Sequence, residues 1–203
     1  MSSAILLSYL SQHWVELAGW TTTLLGIWLT TRRTLWCWPV TLAADLLYLF
    51  VFYRAQLLSD ALLQIFFVVF TLYGWWNWSR GVREEGEVRI VPLERSALLL
   101  ALAAGALGTF LLGAMAVRLH AALPYLDASL ASYSLVASWW QARRHLANWL
   151  LWIVVDLLYI GEYIYKGLWP TALLYAVLVG LAVLGWREWK RAAHSTSRAA
   201  QHS

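Results

Sequence analysis

Charge is scarce in this chain. Only 13% of its 203 residues are Asp, Glu, Lys or Arg, where an ordinary soluble domain has about 25%. That shortfall argues against a water-soluble globule. Cysteine is nearly absent too. Cys37 stands alone, which excludes an intramolecular disulfide and any Cys-based metal cluster. The five histidines (His13, His120, His145, His194 and His202) fall in turns and tails, never at metal-ligand spacing. There is no His-Glu-x-x-His, no phosphate-binding glycine loop and no Gly-x-Ser-x-Gly. No catalytic constellation and no cofactor are expected. An ATP-driven pump is excluded unless another subunit brings the ATPase. Met1 to His13 lack the basic start of a cleavable signal, so the segment is expected to stay in the mature protein. The net charge of +4 does not point to nucleic acid, because the basic residues sit in short loops rather than on one face.

What the chain has in excess is apolar and aromatic. It is 61% apolar with 15 Trp, and its mean hydropathy is +0.59. Trp concentrates at membrane–water boundaries. Seven apolar segments can be marked, at 14–31, 36–53, 57–77, 96–117, 124–141, 148–165 and 168–187. Each is roughly 18–22 residues, about what crossing ~30 Å of hydrocarbon needs at 1.5 Å per residue. The expectation is an all-α membrane protein with seven transmembrane helices. Its partners would include the lipid bilayer, and the pattern leaves homo-oligomerisation open.

An internal repeat organises these segments. Sliding the chain by 111 residues puts Trp28 on Trp139, Arg32-Arg33 on Arg143-Arg144 and Trp38 on Trp149. Asp45-Leu46-Leu47-Tyr48 lands on Asp156-Leu157-Leu158-Tyr159, and Gly74-Trp75 on Gly185-Trp186. Without a gap, 17 of 51 positions are identical between 28–78 and 139–189, so one supersecondary unit is used twice. Helices one to three (14–79) form the first bundle and five to seven (121–190) the second. Residues 80–120 hold a solvated loop and linker helix four, and 191–203 is expected to be a disordered tail. Three crossings end on the side opposite their start, so two parallel units need one returning helix between them. The basic residues agree. One side collects Arg32, Arg33, Arg80, Arg83, Arg89, Arg95, Arg143, Arg144, Arg187, Lys190, Arg191 and Arg198, and the other only Arg54, Arg118 and Lys166. Positive-inside bias puts the N-terminus outside and the C-terminus in the cytoplasm. This parallel 3+1+3 repeat is the plan of SWEET-type transporters.

Few groups within the segments carry chemistry. Asp45 and Asp156 each lie about nine residues from either helix end, near the bilayer midplane, where a charge costs several kcal/mol unless paired or hydrated. The plain alternative is a structural hydrogen bond, for instance to Tyr48 or Tyr159. Trp149, Trp152 and Asp156 fall within roughly 60° of one helical face. Two indoles above a carboxylate can hold a flat cation by stacking and cation–π attraction. Trp149 could instead be an interfacial anchor. The repeat partner of Trp152 is Thr41, so the site would be asymmetric. Gln64 and its repeat partner Tyr175 need partners in a dry bundle, whether a ligand or a neighbouring helix. Tyr73, Trp75, Trp78, Trp186 and Trp189 read as belt aromatics. Asp60, Asp127 and Glu162 are expected at external helix ends in contact with water.

These residues carry a resemblance. Gln64-Ile65-Phe66-Phe67 with Tyr73-Gly74-Trp75-Trp76-Asn77-Trp78 resembles the third-helix signature of the PnuC family of vitamin transporters. Asn148-Trp149-Leu150-Leu151-Trp152, with a polar residue at 156, resembles that family's sixth-helix motif, and the likeness spans about 15–190. At 156 this chain has Asp where the riboside-specific pattern most often has Asn. The resemblance implies a SWEET-like fold in the bacterial inner membrane. It also implies facilitated diffusion of an unphosphorylated vitamin, made one-way by a cytoplasmic kinase. Trp149, Trp152 and Asp156 would hold the substrate, with Gln64 opposite and Asp45 and Tyr175 on the same hollow. Nicotinamide riboside is the leading substrate expectation. Thiamine, also a flat aromatic cation, is the alternative, and a non-transporting membrane partner protein is the rival from another class.

Overall fold

The computed structural model describes residues 18–120 and 122–201. The expectation that Met1 to His13 stays in the mature protein concerns residues outside them, as does the start of the first expected segment. Among the described residues there are seven helices and no strand. They are α1 (18–31), α2 (Cys37–Arg54), α3 (Leu58–Glu85), α4 (Arg95–Arg118), α5 (Pro124–Ala142), α6 (Ala147–Tyr165) and α7 (Trp169–Gln201). Four of them, α3, α4, α6 and α7, are long and apolar enough to cross a membrane. Polar side chains of the interior sit on both groups of helices: Asp45 on α2, Gln64 and Thr71 on α3, Ser134, Ser138 and Gln141 on α5, and Asp156 on α6. On the outside, Leu99, Leu100, Phe110 and Leu111 of α4 are all exposed. Such a row of bare leucine and phenylalanine fits lipid and not water.

The turns repeat at the same offset as the sequence. Arg33 (φ 55°) and Arg144 (φ 67°), 111 residues apart, both adopt the left-handed conformation. So do Gln56 (φ 61°) and Gly167 (φ 72°), again 111 apart. Their hydrogen bonds match as well. Arg33 N donates to Thr30 O and Arg144 N to Gln141 O, each at 3.0 Å. Leu57 N donates to Phe52 O at 2.9 Å, and Leu168 N to Tyr163 O at 2.8 Å. A left-handed residue strains any side chain, and glycine relieves that strain only in the second copy.

Packing follows the copies. α2 lies on α3 and α6 on α7. Trp38 packs over Gly74 and Trp149 over Gly185. Each tryptophan then meets a second one edge-on, Trp38 on Trp78 at 5.0 Å and 89°, and Trp149 on Trp189 at 5.5 Å and 87°. Two of the cross-links between copies are reciprocal, while a third, from Asn77 Nδ2 to the Ala142 carbonyl at 2.9 Å, is not. Trp78 Nε1 donates to the Gln141 carbonyl at 3.2 Å, and Trp189 Nε1 to the Thr30 carbonyl at 3.1 Å. Thr30 and Gln141 are themselves one offset apart, so this contact is self-complementary, as in a two-fold dimer. Trp78 and Trp189 meet at 5.6 Å between the copies. Linker helix α4 packs on α5 through small residues, Gly105 under Tyr133, Gly108 under Ser132 and Gly113 under Tyr125.

Several expectations change. Trp78 and Trp189 are not belt aromatics. Both are fully buried, because neighbouring tryptophans cover their rings and the reciprocal carbonyl bonds satisfy their N–H groups. Helix α3 runs on to Glu85 and stops at Gly86, whose φ of 77° supplies the left-handed cap. The connection therefore begins later than expected. It is also strapped down rather than free. Arg33 Nη1 donates to the Val88 carbonyl at 3.3 Å, Val91 N donates to Arg144 O at 3.0 Å, and His145 Nδ1 lies 3.0 Å from Val91 O. Burial and the neighbouring Arg143 and Arg144 hold the His145 imidazole below its ordinary range, so it donates as the neutral ring. Helix α7 continues through residues 191–201, a stretch with no Gly or Pro to stop it. Glu162 is buried rather than bathed in water, bonded to Lys166, which also lies 3.5 Å from Asp127.

Candidate functional site

A cavity of about 350 Å³ lies between the two copies, within the size range of small-molecule sites. All six residues singled out from the sequence line it: Asp45, Gln64, Trp149, Trp152, Asp156 and Tyr175. Helix geometry explains the convergence on α6, where Trp149, Trp152 and Asp156 share one face. On α3, Gln64 and Thr71 are seven residues apart and so point the same way.

The two acids are equivalent in sequence and opposite in circumstance. Asp45 is 8% exposed and fully engaged. Gln64 Nε2 donates to one of its oxygens at 3.2 Å, and Thr71 Oγ1 to the other at 2.7 Å. Asp156 is 4% exposed and accepts no hydrogen bond from the described residues. The cause can be read from the repeat. The positions that supply donors to Asp45, Gln64 and Thr71, are Tyr175 and Ala182 in the second copy. Alanine has no donor. The Tyr175 ring is drawn into an aromatic group with Tyr159 (centroids 4.7 Å apart) and Tyr163 (5.2 Å). A buried polar group without a partner is costly. Here it borders a hollow that a ligand or water can fill.

The remaining expected residues take distinct places. Gln64 does not stand free opposite α6, because its amide nitrogen is bound to Asp45 and its carbonyl oxygen is what it can offer a ligand. Trp149 is not an interfacial anchor. It is 1% exposed and wedged between Gly185 and Trp189, so it forms the floor of the hollow rather than a free stacking face. Trp152 is half-buried on the cavity wall. Sequence reasoning passed over Thr71, although its seven-residue spacing from Gln64 marks it. It also passed over Ser134, Ser138 and Gln141, whose i, i+4, i+7 spacing in an apolar helix places all three on the cavity. Tyr159 and Tyr163 line it as well.

A helical membrane protein with a ligand-sized hollow, largely apolar with a few convergent polar groups and lined from both copies of its repeat, has the construction of a solute transporter. The comparisons agree. Residues 13–191 match the family described as nicotinamide mononucleotide transporter, and the chain belongs to that family. It is 27% identical over 216 residues to the nicotinamide riboside transporter PnuC of Escherichia coli K12, covering 93% of this chain and 90% of the relative. It is 30% identical over 188 residues to the riboflavin/roseoflavin transporter RibM of Streptomyces davaonensis, covering 88% and 86%. In fold it is similar to the crystal structure of the vitamin B3 transporter PnuC, with a TM-score of 0.74, 24% identity and coverage of 95% and 87%. The resemblance read from the third and sixth helices is thereby borne out. The chain is a multi-pass protein of the bacterial inner membrane, and its family is one of membrane transporters, not enzymes.

Proposed function

We propose that this protein is a uniporter for nicotinamide riboside, carrying it by facilitated diffusion, with a cytoplasmic kinase trapping the product by phosphorylation. The observation that carries this reading is Asp156, a buried carboxylate on the cavity wall that accepts no hydrogen bond from the described residues. A flat cation answers it. The positive ring neutralises the acid while Trp152 stacks on its face. Seven crossings in a parallel 3+1+3 arrangement, N-terminus outside and C-terminus cytoplasmic, suit the matched turns and reciprocal tryptophan bonds. Transport then needs the two bundles to rock about the hollow. The cross-links that must loosen are few. Three neutral hydrogen bonds, from Trp78, Asn77 and Trp189, contribute about 1.5–4.5 kcal/mol together, which substrate binding can offset.

A second reading has its own support. RibM is 30% identical to this chain, and riboflavin shares with the riboside a flat heteroaromatic ring and a hydroxylated five-carbon chain. Riboflavin is uncharged, however, and leaves the Asp156 carboxylate without a counter-charge. Binding of nicotinamide riboside, thiamine and riboflavin to purified protein separates the candidates. The riboside is expected to bind tightest. In proteoliposomes it should equilibrate without ATP or an ion gradient, and accumulate only with kinase and ATP inside. Tight binding of thiamine or riboflavin with none of the riboside overturns the substrate assignment.

A further inference from the structure

We propose that α5 carries the specificity for the sugar: Ser138 and Gln141 hold the ribosyl hydroxyls of the substrate whose cationic ring lies against α6. This rests on the transport reading above and names the part of the ligand that reading leaves unaddressed. Ser134, Ser138 and Gln141 all line the cavity, and at 100° per residue they fall within about 60° of one face of α5. Helix α5 packs directly on α6, which carries Trp152 and Asp156. A ligand seated on α6 therefore has α5 alongside it.

The groups on this face differ in what they have free. Ser134 is in hydrogen-bond contact with the Tyr159 phenol. The Ser138 hydroxyl and the Gln141 carboxamide make no hydrogen bond with the described residues. Gln141 is held in place by its main chain, whose carbonyl accepts from Trp78 Nε1 at 3.2 Å. Its side chain remains available. A carboxamide offers two N–H donors and a carbonyl acceptor, and serine adds one of each. That is the complement of a vicinal diol, where each hydroxyl both donates and accepts.

The first copy lacks this arrangement. The equivalent face of α1 is Thr23, Ile27 and Thr30, all on the cavity. Ile27 replaces Ser138 with hydrocarbon, and the Thr30 hydroxyl is turned back to the Gly26 carbonyl at 2.8 Å. The asymmetry matches that of the acids, since the unengaged carboxylate Asp156 also belongs to the second copy. Both unengaged sets face one side of the hollow, so a ligand with a cationic ring and a diol is oriented by a single wall.

The test uses two ligands, nicotinamide riboside and N-methylnicotinamide methylated on the ring nitrogen, which has the same cationic ring and no sugar. Ser138→Ile installs the residue of the first copy. It should weaken riboside binding by at least about ten-fold and leave N-methylnicotinamide within about two-fold, because sites that hydrogen-bond a hydroxyl discriminate strongly. Ser138→Thr, which keeps the hydroxyl, should retain riboside binding. Retained binding of the sugar-free cation shows that the variant is folded. Unchanged riboside affinity in Ser138→Ile, or equal losses for both ligands, overturns the assignment and leaves the transport reading standing. Wild-type protein that binds thiamine or riboflavin and not the riboside overturns both.

Discussion

Asp156→Ala is expected to weaken nicotinamide riboside binding by roughly ten- to a hundred-fold, about 1.5–3 kcal/mol for a lost charge-assisted contact. The expectation follows from the isolation of the carboxylate. It is 4% exposed and accepts no hydrogen bond from the described residues, so nothing in the protein replaces the interaction a ligand makes with it. Asp45→Ala should behave differently. That acid is bound to Gln64 and Thr71, and its loss leaves those two donors unsatisfied, a cost to folding before one to binding. Asp156→Asn keeps the hydrogen-bonding shape without the charge and should retain riboside better than thiamine. Isothermal titration of the wild type and both Asp156 variants decides the matter. Equal affinity of wild type and Asp156→Ala removes the acid from the site.

Gly185→Leu should have a large effect on the folded state. A Cβ at that position would sit 2.5 Å from two carbons of the Trp149 ring, closer than atoms can approach. Trp149 is itself 1% exposed and packed on Trp189, so it has nowhere to retreat. Overpacking of this kind costs about 1–3 kcal/mol or more. For a chain of this size that lowers the Tm by roughly 2–12 °C. The contact also holds the Trp189 bond to Thr30, so cross-linking between the copies should weaken with it. Gly180→Leu is the matched control on the same helix, because nothing lies within 4 Å of a Cβ there. Thermal unfolding in detergent compares the two. Equal Tm values for both variants would show that the Trp149–Gly185 contact does not hold the fold.

Much of this arrangement was legible in the chain. The 111-residue offset places both acids, both ring-over-glycine contacts and both sets of left-handed turns. What it could not disclose was the side of each helix that becomes interior. Trp78 and Trp189 look like boundary anchors by residue type, and only the opposing carbonyls of Gln141 and Thr30 make burial of their N–H groups affordable. The extension of α3 past residue 77 was hidden because charged residues of high helix propensity read as a loop once the apolar run ends. The distinction between Asp45 and Asp156 was present but unread. It requires comparing position 71 with 182 as well as 64 with 175, since either donor alone would engage a carboxylate.

That comparison supplies the decisive measurement. Thr71 gives Asp45 a hydrogen bond of 2.7 Å, and Ala182 occupies the equivalent position of the second copy, on the same cavity as Asp156. Ala182→Thr adds the missing hydroxyl, and Ala182→Val adds the same bulk without it. If the bare carboxylate is what receives the cation, Ala182→Thr should bind nicotinamide riboside about ten-fold more weakly than Ala182→Val, because an internal donor now competes for Asp156. Identical affinities for the two variants would contradict the account.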